Sequence, residues 1–255
     1  MNFLYQKYSL ILYYNFNIQY MGKTKKVKGT KQTLEYVEQP EKLHVKAIKC
    51  KNSRQKEFIK AMEQNEITLC DGLAGSGKTY VALHFALKAL EKGQFDKIVL
   101  VKSVTTLDHE DIGFLPGDIQ QKMDPFLYSY YGNIDKIIGE EWRKKLVKEG
   151  KIQVQPLAYI RGINIDNSIC IIDECQNLYL DAFKSIITRI GENSKYIILG
   201  DTQQIDKRNK TQSILQKILG LFTDSDFIGT VQFLPEDCVR NPIIPKVLDK
   251  LKTLE

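Results

Sequence analysis

Six short apolar runs punctuate this chain, and between them apolar residues recur at helical spacing. The runs cover 66–71, 96–102, 151–157, 168–173, 195–200 and 227–233. Each has the length of a single strand. Those at 168–173 and 195–200 are apolar at nearly every position, as strands buried on both faces of a parallel sheet are. The segments at about 54–63, 78–92, 117–131, 140–149, 180–190, 211–220 and 243–253 predict helices. Strand alternating with helix predicts an α/β fold, a parallel sheet with helices on both faces. No repeat or low-complexity tract interrupts the pattern, and nothing marks a second domain boundary. Residues 1–45 read as a flexible N-terminal segment and 46–255 as the domain, with folded sequence expected from near Lys51.

Composition changes this picture little. A chain of 255 residues that is 43% hydrophobic can bury a sizeable core. The net charge of +6 suggests nucleic acid until it is located. Residues 1–34 hold six lysines (Lys7, Lys23, Lys25, Lys26, Lys28, Lys31) and no acid, which leaves 31 basic and 31 acidic residues from position 35 onward. The basic excess is therefore confined to the N-terminal segment, where a nucleic-acid contact and a solvated tail are equal readings. Cys50, Cys70, Cys170, Cys175 and Cys238 form no C-x-x-C and have no histidine at ligand spacing. They read as reduced thiols of a cytoplasmic protein. Residues 1–20 are aromatic and apolar but broken by polar side chains, a poor fit to either a signal peptide or a membrane span. Met21, which opens the lysine-rich stretch, is expected to be the natural start, a point that N-terminal sequencing of the native protein decides.

The chemistry begins at Gly72-Leu73-Ala74-Gly75-Ser76-Gly77-Lys78-Thr79, which fits G-x-x-x-x-G-K-[ST] at every fixed position. Glycines let such a loop close round a phosphate with its amides pointing inward. Lys78 can reach the β- and γ-phosphates, and the Thr79 hydroxyl can hold Mg²⁺. A strand-like run precedes the loop and a helix-forming run follows it, the arrangement that aims a helix N-terminus at an anion.

The second motif is Ile169-Cys170-Ile171-Ile172-Asp173-Glu174-Cys175-Gln176-Asn177, an apolar strand ending in adjacent carboxylates. Asp173 can hold Mg²⁺, directly or through water, and Glu174 can polarise the water that attacks the γ-phosphate. A phosphotransferase needs no such second carboxylate, so the pair favours hydrolysis over transfer. A third run, Tyr196 to Gly200, ends in Asp201-Thr202-Gln203-Gln204. A glutamine there can sense the γ-phosphate; Gln203 is the candidate and Gln204 the alternative. Upstream, Gln55 can offer an acceptor and donors to an adenine edge, which selects A over G.

Together these motifs are similar to the PhoH-like protein family, ATPases related to the core of superfamily 1 helicases. The resemblance runs from about 50 to 252. It takes in Arg54-Gln55, the Gly72–Thr79 loop, Gly113-Phe114-Leu115-Pro116-Gly117-Asp118, and Lys122-Met123-Asp124-Pro125. It continues through Pro156-Leu157-Ala158-Tyr159-Ile160-Arg161-Gly162, the Asp173–Asn177 segment, Thr188-Arg189-Ile190-Gly191, Gly200 to Asp206, and Val239-Arg240. The Gly113–Asp118 and Leu157–Gly162 segments are much more specific than a P-loop. The resemblance implies a three-layer P-loop NTPase of the RecA-like type with a mainly parallel central sheet. It also implies Mg²⁺-ATP as the bound nucleotide, and RNA or another single-stranded nucleic acid as partner. It implies a homo-oligomeric ring, a hexamer among the candidate sizes. Arg240 then matches the helicase-type arginine that stabilises the transferring phosphoryl group, acting on a neighbouring subunit's ATP; its residue chemistry alone reads as a surface cation. Arg161 and Arg189 are second-rank candidates for phosphate or RNA contacts, with a salt bridge in the core as the equal reading.

The departures are specific. Lys102-Ser103 stands where the family usually has Arg-Pro, which keeps a charge and loses the bidentate fork. Asn241 replaces a usual histidine, Ile163 a common arginine and Cys175 an alanine. The chain has no room for a second RecA-like domain. Two functional readings result. One is a Mg²⁺-dependent ATPase coupled to RNA, helicase-like; the other is a nucleotide-switched binding or assembly protein without strand separation.

Overall fold

The six apolar runs become six strands, and the two sides of the central ones feed different helical layers. The computed structural model describes residues 42–102, 119–160, 162, 164–205 and 214–240, with 243, 246, 247 and 250 beyond them, and side chains at 119–126, 158 and 159 fall outside that description. The described residues from Leu43 onward form one unit. Residues 1–41 of the expected N-terminal segment, the Gly113–Asp118 motif, Arg161, Ile163, Asn241 and most of the last expected helix lie outside the described residues.

The strands are β1 (Ile67–Gly72), β2 (Lys97–Lys102), β3 (Ile152–Pro156), β4 (Ser168–Asp173), β5 (Lys195–Gly200) and β6 (Ile228–Phe233). They form one sheet in the order β3-β2-β4-β5-β1-β6, every neighbouring pair parallel. The helices are α1 (Ser53–Gln64), α2 (Lys78–Glu91), α3 (Ile119–Ile138), α4 (Glu140–Lys148), α5 (Leu180–Ile187) and α6 (Leu215–Phe222). In β4, Ile169 and Ile171 join a core shared with Phe58 of α1, Leu83 and Leu87 of α2, and Tyr130 and Ile134 of α3. Cys170 and Ile172 point the other way, toward Phe183 and Ile186 of α5 and Ile218 of α6. Two cores on opposite faces of one parallel sheet make the three-layer P-loop NTPase fold. Among the described residues no helix is long and apolar enough to cross a membrane.

Several boundaries differ from expectation, three of them for reasons visible in the packing. Folded structure starts before Lys51: Val45 is 1% exposed. Its amide donates to Glu91 Oε1 at 2.9 Å, and His84 Nε2 meets the Lys46 carbonyl at 2.7 Å. Helix α3 runs past 131 because its buried stripe continues through Ile134 and Ile137, until Gly139 at φ 87° ends it. Helix α5 stops at Ile187 because Ile190 leaves it to bridge Ile165.

Candidate functional site

Parallel strands bring their C-terminal tips to one edge of the sheet, so the loop after β1, the acid pair after β4 and the turn after β5 meet there. The loop is held open by glycine conformations. Gly72, Gly75 and Gly77 have φ values of 155°, 92° and 87°, and a β-carbon on Gly72 would lie 2.4 Å from Phe233 Cβ. Within the loop, the Ser76 amide and hydroxyl both donate to the Leu73 carbonyl, at 3.3 and 2.9 Å.

The Thr79 hydroxyl donates to Asp173 Oδ2 at 3.0 Å. Two hard oxygen donors at that separation suit a Mg²⁺ ion, which takes one or two protein ligands and fills its octahedron with water and phosphate oxygens. Burial, then the adjacent Glu174 carboxylate, pushes the Asp173 carboxyl above its ordinary range, against the pull of the Glu174 amide, Thr79 and Lys78. A carboxylate short of counter-charge is suited to a cation.

Glu174 is a non-glycine residue in the left-handed region, at φ 61° and ψ 40°. Such backbone costs about 1–3 kcal/mol and concentrates at functional sites. Its carboxylate accepts from Gln176 Nε2 at 2.8 Å. Gln176, 4% exposed, uses its oxygen to accept from the Asp201 amide at 3.3 Å. Lys78 is buried, with Nζ donating to the carbonyls of Gly72 and Leu73, the latter at 3.0 Å.

The turn after β5 anchors the loop. Asp201 Oδ2 accepts from the Ala74 amide at 2.9 Å, and its other oxygen accepts from the Gln203 amide at 3.0 Å. Burial raises the Asp201 carboxyl above its usual range. On β1, the buried Asp71 accepts from the Thr202 amide and hydroxyl at 2.9 and 2.8 Å. No local pattern marks either aspartate as an anchor; the strand order brings Asp201 and Thr202 beside β1 and the loop that follows Asp71.

Lys78, Thr79, Asp173, Glu174, Gln204 and Arg240 all line one cavity of about 500 Å³. Ala74, Gly75 and Gly77 join them there. Gln203 is exposed and does not line it; Gln204, the alternative, does. Gln55 lies behind the loop, its Nε2 donating to the Ser76 carbonyl at 3.0 Å and its Oε1 accepting from the Lys51 amide at 2.8 Å. Both ends of its amide thus hold protein backbone. Arg240 stands over its own chain's loop. A β-carbon on Gly75 would meet its Cδ at 2.9 Å, and the preceding Val239 amide donates to the Gly75 carbonyl at 3.0 Å. Arg189 sits at the opposite edge of the sheet, just ahead of β5, and does not reach the cavity. Cys70, Cys170 and Cys175 are buried and free, with burial holding each thiol protonated. The Cys175 sulfhydryl donates to the Ile172 carbonyl at 3.4 Å, filling a small apolar position.

A family model described as PhoH-like protein matches residues 47–252. A PhoH-like protein of Synechocystis sp. is 36% identical over 208 residues, which cover 82% of this chain and 63% of that protein. A PhoH-like protein of Bacillus subtilis is 36% identical over 204 residues, covering 80% and 64% respectively. Protein PhoH of Escherichia coli is 34% identical over 203 residues, covering 79% and 57%. The chain therefore spans less than two thirds of the length of these relatives. Among solved structures, the large terminase from a thermophilic bacteriophage aligns with TM-score 0.46 and 13% identity over 78% of this chain and 49% of that one. Pif1 helicase from Candida albicans aligns with TM-score 0.36 and 14% identity, covering 80% and 43%.

Proposed function

This chain belongs to the PhoH-like protein family, and we propose that it binds ATP with Mg²⁺ at the Gly72–Thr79 loop and hydrolyses it to ADP and phosphate. The observation that carries the reading is the 3.0 Å contact of Thr79 with Asp173, beside the strained Glu174. Thr79 and Asp173 would hold the ion, which when bound neutralises charge on the β- and γ-phosphates. Lys78 leaves the Gly72 and Leu73 carbonyls for the phosphate tail. Glu174 accepts a proton from the attacking water as its oxygen bonds to the γ-phosphorus. The bond from that phosphorus to the β–γ bridging oxygen breaks, and ADP carries away the electron pair. Gln204, on the cavity wall, takes the sensing role that the sequence offered first to Gln203. Arg240, packed on Gly75, serves the nucleotide of its own chain by balancing charge on the transferring group.

RNA or another single-stranded nucleic acid is the partner this reading assigns. Its support is family membership, a warrant by analogy. The second reading, a slow nucleotide switch, has one observation in its favour: Lys78 and Glu174 are both engaged by protein groups and must let go before chemistry. Phosphate release measured with Mg²⁺, with EDTA, and with and without RNA separates the readings. Metal-dependent turnover raised by RNA supports the ATPase, and slow turnover indifferent to RNA supports the switch. No metal-dependent turnover and no nucleotide binding would remove both.

A further inference from the structure

The cavity extends past the acid pair, and its far wall has no part in the chemistry above. That wall is built from Lys102 at the tip of β2 and from Ser129, Asn133 and Lys136 on α3. Lys102 is the register partner of Asp173, so the two tips are adjacent. On α3 the positions i, i+4 and i+7 fall on one side of a helix. They lie one residue from the buried Tyr130, Ile134 and Ile137, which fix the rotation of the helix and hence the direction of all three. Tyr130 anchors the arrangement at the acid pair. Burial first, then the nearby Asp173 charge, keeps its hydroxyl a neutral phenol.

Among the described residues, none of the side chains of Lys102, Ser129, Asn133 and Lys136 makes a hydrogen bond or ion pair. Two ammonium groups, an amide and a hydroxyl thus line the cavity without a protein partner, Ser129 and Lys136 exposed, Lys102 and Asn133 half-buried. The geometry dictates what reaches them. A triphosphate on the loop has its γ-group nearest Thr79 and Asp173, and Lys102 lies one strand further on, toward β3. Among the described residues, this is the wall that a cleaved phosphate moving away from ADP toward β2 meets.

We propose that Lys102, Ser129, Asn133 and Lys136 form a second oxyanion subsite, which receives inorganic phosphate after cleavage and delays its exit. The proposal rests on the hydrolysis reading for the source of the phosphate, and the subsite itself rests on the wall. A phosphodiester of a nucleic-acid backbone presents the same oxyanion chemistry, so the test separates the two sources.

Radiolabelled inorganic phosphate is titrated by equilibrium dialysis into the full chain with ADP and Mg²⁺, as wild type, Lys102→Gln and Lys136→Gln. A single-stranded oligouridine is titrated in parallel, and ADP affinity is measured for each protein. Each variant should weaken phosphate binding about tenfold, the effect of removing one charge-assisted contact to an oxyanion, and leave ADP affinity within about twofold. Unchanged phosphate affinity in both variants overturns the subsite. A parallel fall in ADP affinity overturns its separateness. Weakened oligouridine binding with unchanged phosphate binding overturns the assignment to the cleaved product. Binding is read without turnover, so a protein that shows the expected pattern and never hydrolyses ATP loses the catalytic reading and keeps the subsite.

Discussion

The Ala74 amide donates to Asp201 Oδ2 at 2.9 Å, which fastens the phosphate loop to a strand that carries neither the loop nor the acid pair. Asp201 is 5% exposed, and removing its carboxylate strands the half-buried Ala74 amide. Asp201→Ala should cost about 1–3 kcal/mol of stability, and nucleotide affinity should fall with it. Urea unfolding and nucleotide titration of the same preparation check both. An unchanged midpoint would mean that the loop holds its own shape.

Glu174→Gln keeps the side chain's size and its place beside Gln176 while removing the proton acceptor. ATP binding should persist, and phosphate release should fall about 10²–10⁴-fold. Lys78→Ala should instead lose affinity, because the phosphate tail loses its point charge. Turnover near the wild-type rate in the glutamine variant would remove Glu174 as the base.

Arg240 rests on Gly75 of the same chain, so its loss should not be repaired by a neighbour. Arg240→Ala should slow hydrolysis about 10³-fold or more if it acts as such arginines do. Mixing it with Lys78→Ala chains, which keep Arg240, should restore nothing. Gly75→Ala pushes on the Arg240 stem and strains a loop residue at φ 92°, so the two substitutions should be non-additive in a double-mutant cycle. Recovery of rate in the mixture would place the arginine across a subunit boundary.

His84 sets a pH limit on stability. Burial lowers its pKa from the ordinary 6.5, more than the Lys46 carbonyl that accepts from its ring raises it; Lys88 lowers it further and Glu91 opposes. The folded state therefore prefers the neutral ring. This contribution is fully present above 6.5 and is lost as pH falls through 6.5 toward the lower folded value. The urea midpoint should drop between about pH 7.5 and about pH 5.5, and His84→Gln should flatten that drop. Equal slopes in both proteins would assign the effect to other groups.

Much of the architecture was legible along the chain because a parallel strand buried on both faces writes itself as an unbroken apolar run. Residues 168–173 and 195–200 appear in the fold with the bounds read from the sequence. The phosphate loop and the acid pair were legible for a different reason, since their chemistry sits in consecutive residues. What escaped was every role created by strand order. Asp201 and Asp71 look like ordinary polar residues at strand ends until β5 is placed beside β1. Gln55 suited an adenine edge in sequence, yet it lies behind the loop because α1 packs against β6. The polar face of α3 carried no signal, as any solvated helix has one. Val45 lies in a stretch too short for periodicity, and only its burial against α2 identifies it as core.

The position of β5 between β1 and β4 has a geometric consequence. Neighbouring strands lie about 4.8 Å apart, so the tip that leads into the lysine-bearing loop and the tip that carries the acids are separated by roughly 9.5 Å of backbone. That gauge belongs to the hydrogen-bond ladder, and no rearrangement of side chains can narrow it. Because the ladder sets that spacing, the two sides meet through side chains that reach across β5, Thr79 touching Asp173 at 3.0 Å.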